Sequence, residues 1–351
     1  MSKKLLLLTH KFFPFIGGIE RHSEILAYAF YEAGYDVHVL TWTDDAEQNK
    51  FPFQVIRNPN LFQSWKEHAW ADIIFENNPC IRLSWPQLLF KKPNFIALHT
   101  WITNSNGAIR FQDRLKKIWL KKANCVISCS KAIQKASWPS SIVINNPYDD
   151  SVFNIIQGSD RNKDFVFLGR LVSNKGVDLA LKLIHNLKIK ANKEKLLELK
   201  TTLTIIGEGP EKENLKNLVR ELDLEDRVEF MGALKGKALV QNLNQHRYLL
   251  VPSNWEEPFG MVALEGMACG CIPIVSNCGG LPDAVGNAGV LFKKSCAEAL
   301  LQTTTELISD QTLQAQLKAA APQQLSKHKK NLVTRQYLDL IETVIQTTCF
   351  K

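Results

Sequence analysis

Short apolar segments recur along the whole chain, and each is followed by a stretch whose apolar residues repeat at helical spacing. Strand candidates in the first half are 5–8, 37–40, 73–75, 95–98, 126–128 and 142–144. The second half offers 165–168, 203–206, 228–231, 248–251 and 272–275. Between 20 and 33, Ile25, Leu26, Ala29, Phe30 and Ala33 fall on one side of a helix, spaced to face a sheet. Gly34 stops that helix and the chain resumes as strand; 211–222 is a second helix of the same kind. Strands that are apolar throughout, rather than alternating, are buried on both faces. The pattern therefore predicts an α/β protein with parallel sheets covered by helices on both sides.

A length of 351 residues suggests about two domains at roughly 150 residues each. The polar stretch 145–164, NNPYDDSVFNIIQGSDRNKD, holds no strand candidate and is the best boundary. It predicts a first domain over 1–150 and a second over 151–330. A last helix over 331–346, within the tail 331–351, lies too far past the second sheet to be placed by pattern; packing back on the first domain is one option. Two doubly wound domains put the carboxyl ends of their strands toward one cleft, where ligands bind.

Composition narrows the class. Hydrophobic residues at 45% and charged residues at 22% exclude disorder, and 18 Gly exclude collagen. The four leucines at 5–8 are too few for a signal-peptide core or a membrane span. Eight cysteines without a CxxC pair form neither a zinc nor a thioredoxin pattern. Cys125, Cys129, Cys269 and Cys271 sit in apolar segments as free thiols, which predicts a reducing, cytoplasmic setting.

The net charge of +8 is unevenly spread. Residues 109–122 read IRFQDRLKKIWLKK, with six bases against one acid. Phe111, Leu115, Ile118 and Trp119 fall on one helical face, starting just after Ile109, with the bases around it. A surface helix docked on its own domain accounts for this. So does attachment to an anionic membrane face, at ~1 kcal/mol per base. Nucleic acid is not expected, because no recognition motif accompanies the charge.

Three segments carry candidate chemistry. Gly17 and Gly18 lie between the first strand and first helix, where backbone can approach a ligand and the helix N-terminus favours negative charge. A tight strand-to-helix turn accounts for them equally well. The GxGxxG spacing of a dinucleotide site is absent. In the second domain, Gly169-Arg170 and Lys175-Gly176 flank the start of a helix at the end of a buried strand. Two cations there suit a diphosphate, a fork of donors beside a mobile point charge; two solvated surface bases are the alternative, which the tight glycine turn disfavours. The third segment is PSNWEEPFGMVALEGMACGCIP over 252–273. Nearly every residue around Glu265 is apolar or small, which predicts a buried carboxylate in need of donors such as ribose hydroxyls. Glu257, one turn before the helix in a loop shaped by Pro258 and Gly260, is placed to accept from a sugar. A further glycine turn, 276–282 with Gly279 and Gly280, should lie beside it.

The block EPFGMVALEGMACGCIP resembles the E-x7-E motif of glycosyltransferase family 4, retaining enzymes of the GT-B fold with two Rossmann-like domains facing a central cleft. The resemblance spans nearly the whole chain, through the Gly17-Gly18 loop, His99, Ser130, 145–147, Gly169-Arg170, Lys175-Gly176, 207–210, Glu257, Glu265 and Gly279-Gly280. It implies that Arg170 and Lys175 hold a donor diphosphate beside Gly169, and that Glu265 holds the ribose. It also implies that Glu257 holds the donor sugar, with Phe259, Gly260, Met261 and Val262 alongside. Gly17 and Gly18 would approach the phosphate, and His99 would sit by the reacting sugar and acceptor. A core histidine at a strand end is the alternative for His99. Asp283 stands where glutamate is commoner, and Cys271 and Cys278 are unusual neighbours.

The implied reaction moves a sugar from a nucleoside diphosphate to an acceptor hydroxyl with retention, without metal or other cofactor. Asp44-Asp45 and Asp149-Asp150 are plain loop pairs rather than metal ligands. The expected acceptor is a glycan or a lipid-linked sugar in surface polysaccharide or glycolipid assembly, with a peripheral anionic membrane surface as a further partner. A GT-B-type nucleotide-sugar epimerase shares the diphosphate site but needs extra acid and base carboxylates. A non-catalytic nucleotide-sugar-binding protein should have lost Glu257 or Arg170, and both are present.

Overall fold

A computed structural model describes residues 2–15, 17–102, 110–194 and 201–349. The chain divides into two compact units, Met1–Pro147 with Lys330–Lys351, and Tyr148–Lys329.

The first unit is built on a seven-stranded sheet of β1 (Lys4–Thr9), β2 (Asp36–Thr41), β3 (Gln54–Arg57), β4 (Ile73–Asn77), β5 (Asn94–Leu98), β6 (Cys125–Ser128) and β7 (Ile142–Val143). The strands are parallel throughout, in the order β3-β2-β1-β4-β5-β6-β7. Leu5 to Leu8 are fully buried because the central β1 is covered on both faces. Leu5 and Leu7 pack with Leu26, Phe30 and Tyr337, whereas Leu6 and Leu8 pack with Ile74 and Leu83.

The helix Gly18–Glu32 ends as its sequence predicts. Gly34 has φ +87°, its N–H donates to Tyr31 O, and Tyr35 N–H reaches back to Phe30 O. This is a Schellman stop, closed by the Phe30–Tyr35 ring contact at 6.2 Å. The helix Lys330–Cys349 belongs to the first unit. Val333, Tyr337 and Ile341, at i, i+4 and i+8, bury one stripe in the core beside Phe30 and Phe75.

The second unit holds β8 (Lys163–Leu168), β9 (Leu203–Ile206), β10 (Val228–Gly232), β11 (His246–Val251), β12 (Ile272–Ser276) and β13 (Val290–Phe292). They form a parallel sheet in the order β10-β9-β8-β11-β12-β13. In both sheets the strand order reverses at one place, between β1 and β4 and between β8 and β11. Loops leaving the carboxyl ends there splay apart and open a crevice for a ligand.

Two strands escape the sequence pattern, β3 and β13. Both are short edge strands without a continuous buried run: QVIR is mostly half-exposed, and of VLF only Phe292 is buried. The boundary stretch is also not strand-free to its end, since Lys163 and Asp164 already pair within β8.

A buried carboxylate ties the first unit together. Glu76 on β4 accepts from Cys80 N (2.8 Å), Ser84 Oγ (3.2 Å), Asn94 Nδ2 (3.1 Å) and Trp119 Nε1 (2.8 Å). Burial raises its pKa, and these four donors pull the other way. Removing the acceptor strands buried donors, so Glu76→Ala should lower unfolding stability by about 3 kcal/mol. Urea denaturation checks this; an unchanged midpoint would refute it.

Candidate active site

In the second unit the loops after β8 and β11 meet at the switch point. The loop after β8 runs through Gly169 and Arg170 to a 3-10 turn, Ser173–Lys175, before the helix Val177–Glu194. Gly176 has φ +70°, and a Cβ there would lie 1.9 Å from Pro252 O. Only glycine lets the two loops close in this way. Asn254 N–H donates to Asn174 O at 3.0 Å and fastens them further.

This approach sets Lys175 against Glu257. The ammonium donates to Glu257 Oε1 at 2.6 Å, and Ser253 Oγ donates to the same oxygen at 2.6 Å. Glu257 is only 7% exposed, so these donors stand in for the water it has lost. The glycine turn after β12 completes the frame. Gly280 N–H donates to Glu257 O at 2.7 Å, and a Cβ on Gly279 would sit 2.1 Å from that oxygen. Neighbouring Glu256 accepts from Gly279 N–H at 2.6 Å and pairs with Lys294, whose pKa that bond raises.

Arg170 is exposed, and its guanidinium makes no ion pair among the described residues. Phe259 is buried with its ring 5.4 Å from that of His328. Gly260, at φ +109°, turns the chain into the helix Met261–Ala268. Glu265 corrects the sequence expectation: it is half-exposed, and the buried carboxylate is Glu257. The helix is eight residues long and rests on Ala263, Leu264, Gly266 and Met267. Met261, Val262 and Glu265, at i, i+1 and i+4, form its open side. Ser253 is the site residue that sequence reasoning missed. Its signal was a hydroxyl at the carboxyl end of a buried strand, four residues before a carboxylate.

In the first unit Gly17 caps the helix Gly18–Glu32 in extended conformation, so no backbone constraint requires glycine there. What needs the space is the Glu20 carboxylate, 2.3 Å from where a Gly17 Cβ would be. His99 follows β5, is buried, and donates its backbone N–H to Asn78 Oδ1 at 2.8 Å. Its ring packs on that of His22 at 4.1 Å, and His22 in turn meets Tyr337 at 5.5 Å. Burial draws the His99 pKa down to about 4 against a smaller opposing effect of the Asn146 side chain, which leaves the ring neutral near pH 7. His22 is lowered well below its usual value by burial and then by His99.

Two parallel-sheet α/β units with glycine-turned loops at the switch point of the second define a protein of the GT-B fold. Residues 151–324, nearly all of the second unit, match the family described as glycosyl transferases group 1, and that unit belongs to the family. It is 26% identical to an uncharacterised glycosyltransferase of Methanocaldococcus jannaschii, over 89% of this chain and 90% of that one. It is 25% identical to a glycogen synthase of Mycobacterium tuberculosis, over 92% and 89%. Among solved structures, HepE from Anabaena in complex with UDP superposes with a TM-score of 0.80 at 20% identity, covering 97% of this chain and all of that one.

Proposed function

We propose that the protein transfers a sugar from a nucleoside diphosphate to an acceptor hydroxyl with retention of configuration. The observation that carries this is the Lys175–Glu257–Ser253 group at the switch point, with the uncommitted guanidinium of Arg170 on the same loop as Lys175. Lys175 rests on Glu257. A diphosphate offers the ammonium a second acceptor and leaves Glu257 free to bind sugar hydroxyls. As the glycosidic bond breaks, negative charge builds on the leaving diphosphate, where Arg170 and Lys175 stabilise it more than they do the ground state. Glu265 takes the ribose on the open side of its helix, with the backbone of 259–262 along the donor. His99, neutral by burial, serves the reacting sugar as a hydrogen-bonding group rather than a cation. The acceptor is a growing glycan or lipid-linked sugar in surface polysaccharide or glycolipid assembly.

Because the UDP complexes are of a protein with the same fold, uridine diphosphate sugars come first in a thermal-shift screen. A donor at 100 times its Kd should stabilise the protein by ~2.7 kcal/mol. A full panel of nucleotide sugars without any shift would refute the donor site. With two side-chain cations doing the charge stabilisation, transfer should also persist in EDTA. Complete loss in EDTA, restored by magnesium or manganese, would contradict that mechanism.

A further inference from the structure

One face of the first sheet, the side bearing Leu6, Leu8, Ile74 and Glu76, is covered by the helices Leu61–Trp70, Ile81–Ser84, Gln87–Phe90 and Phe111–Leu120. Trp65 and Phe90 pack ring to ring at 5.5 Å, and Ser84 and Trp119 share the Glu76 carboxylate. The inward sides of these helices are thus occupied. Trp119 parts from Phe111, Leu115 and Ile118 here, as docking of the helix on its own domain would have it: it is only 6% exposed, and its indole turns in to Glu76. Ile109 lies outside the described residues.

The outward sides are unusually apolar. Eight of the 17 exposed large apolar side chains among the described residues lie on just three helices, of ten, four and ten residues. Leu61, Phe62 and Phe111 are the most open, at 73%, 71% and 74%. Leu115 and Ile118 continue from Phe111 at i+4 and i+7 as one stripe. Patches of this kind mark a contact surface.

The charge of the same layer is one-sided. Lys66, Arg82, Lys91, Arg114, Lys121 and Lys122 are exposed and make no ion pair among the described residues. The four acids between 61 and 122 are committed elsewhere. Glu67 holds His38 at 2.6 Å, Glu76 is buried, and Asp113 accepts from Arg110 N–H at 2.9 Å. Asp72, the one exposed acid, accepts from Lys4 N–H at 2.9 Å. A second copy of the chain would set bases against bases. We propose that this layer docks on an anionic lipid bilayer, with the apolar side chains entering the headgroup region and the bases meeting lipid phosphates. The inference needs no assumption about sugar transfer, and vesicle binding is measured without donor or acceptor.

The full chain should co-sediment with phosphatidylcholine vesicles containing phosphatidylglycerol, far less with phosphatidylcholine alone, and less as salt rises. Two variant sets separate the contributions: Lys66→Glu, Arg114→Glu, Lys121→Glu and Lys122→Glu together, and Phe62→Ser, Leu89→Ser and Phe111→Ser together. Each should weaken partitioning at least tenfold while far-UV circular dichroism, urea midpoint and turnover on a soluble acceptor stay unchanged. Equal binding to both vesicles, binding to neither, or wild-type binding by either folded variant set would overturn the proposal. So would a wild-type dimer that the serine variants convert to monomer, which would assign the face to a second copy.

Discussion

Lys175→Ala should cut kcat/KM for the nucleotide-sugar donor by at least tenfold, about 1.4 kcal/mol of transition-state stabilisation, since hydrogen bonds to charged groups contribute ~1.5–3 kcal/mol. It should also destabilise the folded protein, because Glu257 then keeps Ser253 but loses its cation while remaining buried. The ammonium itself is partly exposed, so leaving the buried carboxylate one donor short should cost about 1–3 kcal/mol. Arg170→Ala should slow turnover by a similar factor and leave stability alone, since the exposed guanidinium makes no ion pair among the described residues. Adding Glu257→Gln to Lys175→Ala should recover much of the stability and none of the activity. Steady-state kinetics beside urea denaturation gives both readouts. Unchanged donor affinity and turnover in both Lys175→Ala and Arg170→Ala would place the diphosphate elsewhere.

Acid should destabilise the protein well above the range where carboxylates titrate. His99 and His246 are both drawn down to about 4 by burial, and His22 shifts the same way. His246 shows why its neutral form is preferred. Nδ1 faces Asn242 O at 2.7 Å and donates, so Nε2 is left to accept from the Thr204 hydroxyl at 2.9 Å. Protonation would turn that acceptor into a donor. The unfolded chain takes up protons near pH 6.5 and the folded chain does not, so stability is intact above 6.5 and falls from there toward 4. At pH 5 the loss should be about 2 kcal/mol for each of His99 and His246. Urea midpoints between pH 7.5 and 5 measure it, and His246→Asn should flatten the slope by roughly one proton. A stability that is level or rising as pH falls from 7 to 5 would contradict these burial shifts.

How much of this was legible in the sequence depends on whether a signal is local. The central strands are continuous apolar runs because both of their faces are covered, and such runs are read without knowing the neighbours. The Gly34 stop needs only a residue that tolerates positive φ at the right spacing. The loops after β8 and β11 could likewise be singled out by glycines, cations and carboxylates in order along the chain. β3 and β13 carry no such mark: QVIR is mostly half-exposed and VLF is three residues of which only Phe292 is buried, whereas the edge strands β7 and β10 could be read.

Burial of individual polar side chains was decided by tertiary structure alone. The apolar surroundings of Glu265 made it the buried carboxylate, and helical spacing put Trp119 on one face with Phe111, Leu115 and Ile118. The fold instead buries Glu257, through a loop approach that Gly176 and Gly279 permit, and draws the Trp119 indole inward to Glu76. The C-terminal helix shows the same division. Its apolar repeat announces a buried stripe, but only the completed first sheet, with Phe30 and Phe75 already in place, offers Tyr337 a surface to bury against. Sequence thus determined the elements and the chemistry available to them, because spacing and backbone preference act over a few residues. Which charges lost their water, and to whom they turned, was settled by contacts between residues as far apart as Lys175 and Glu257, or Glu76 and Trp119.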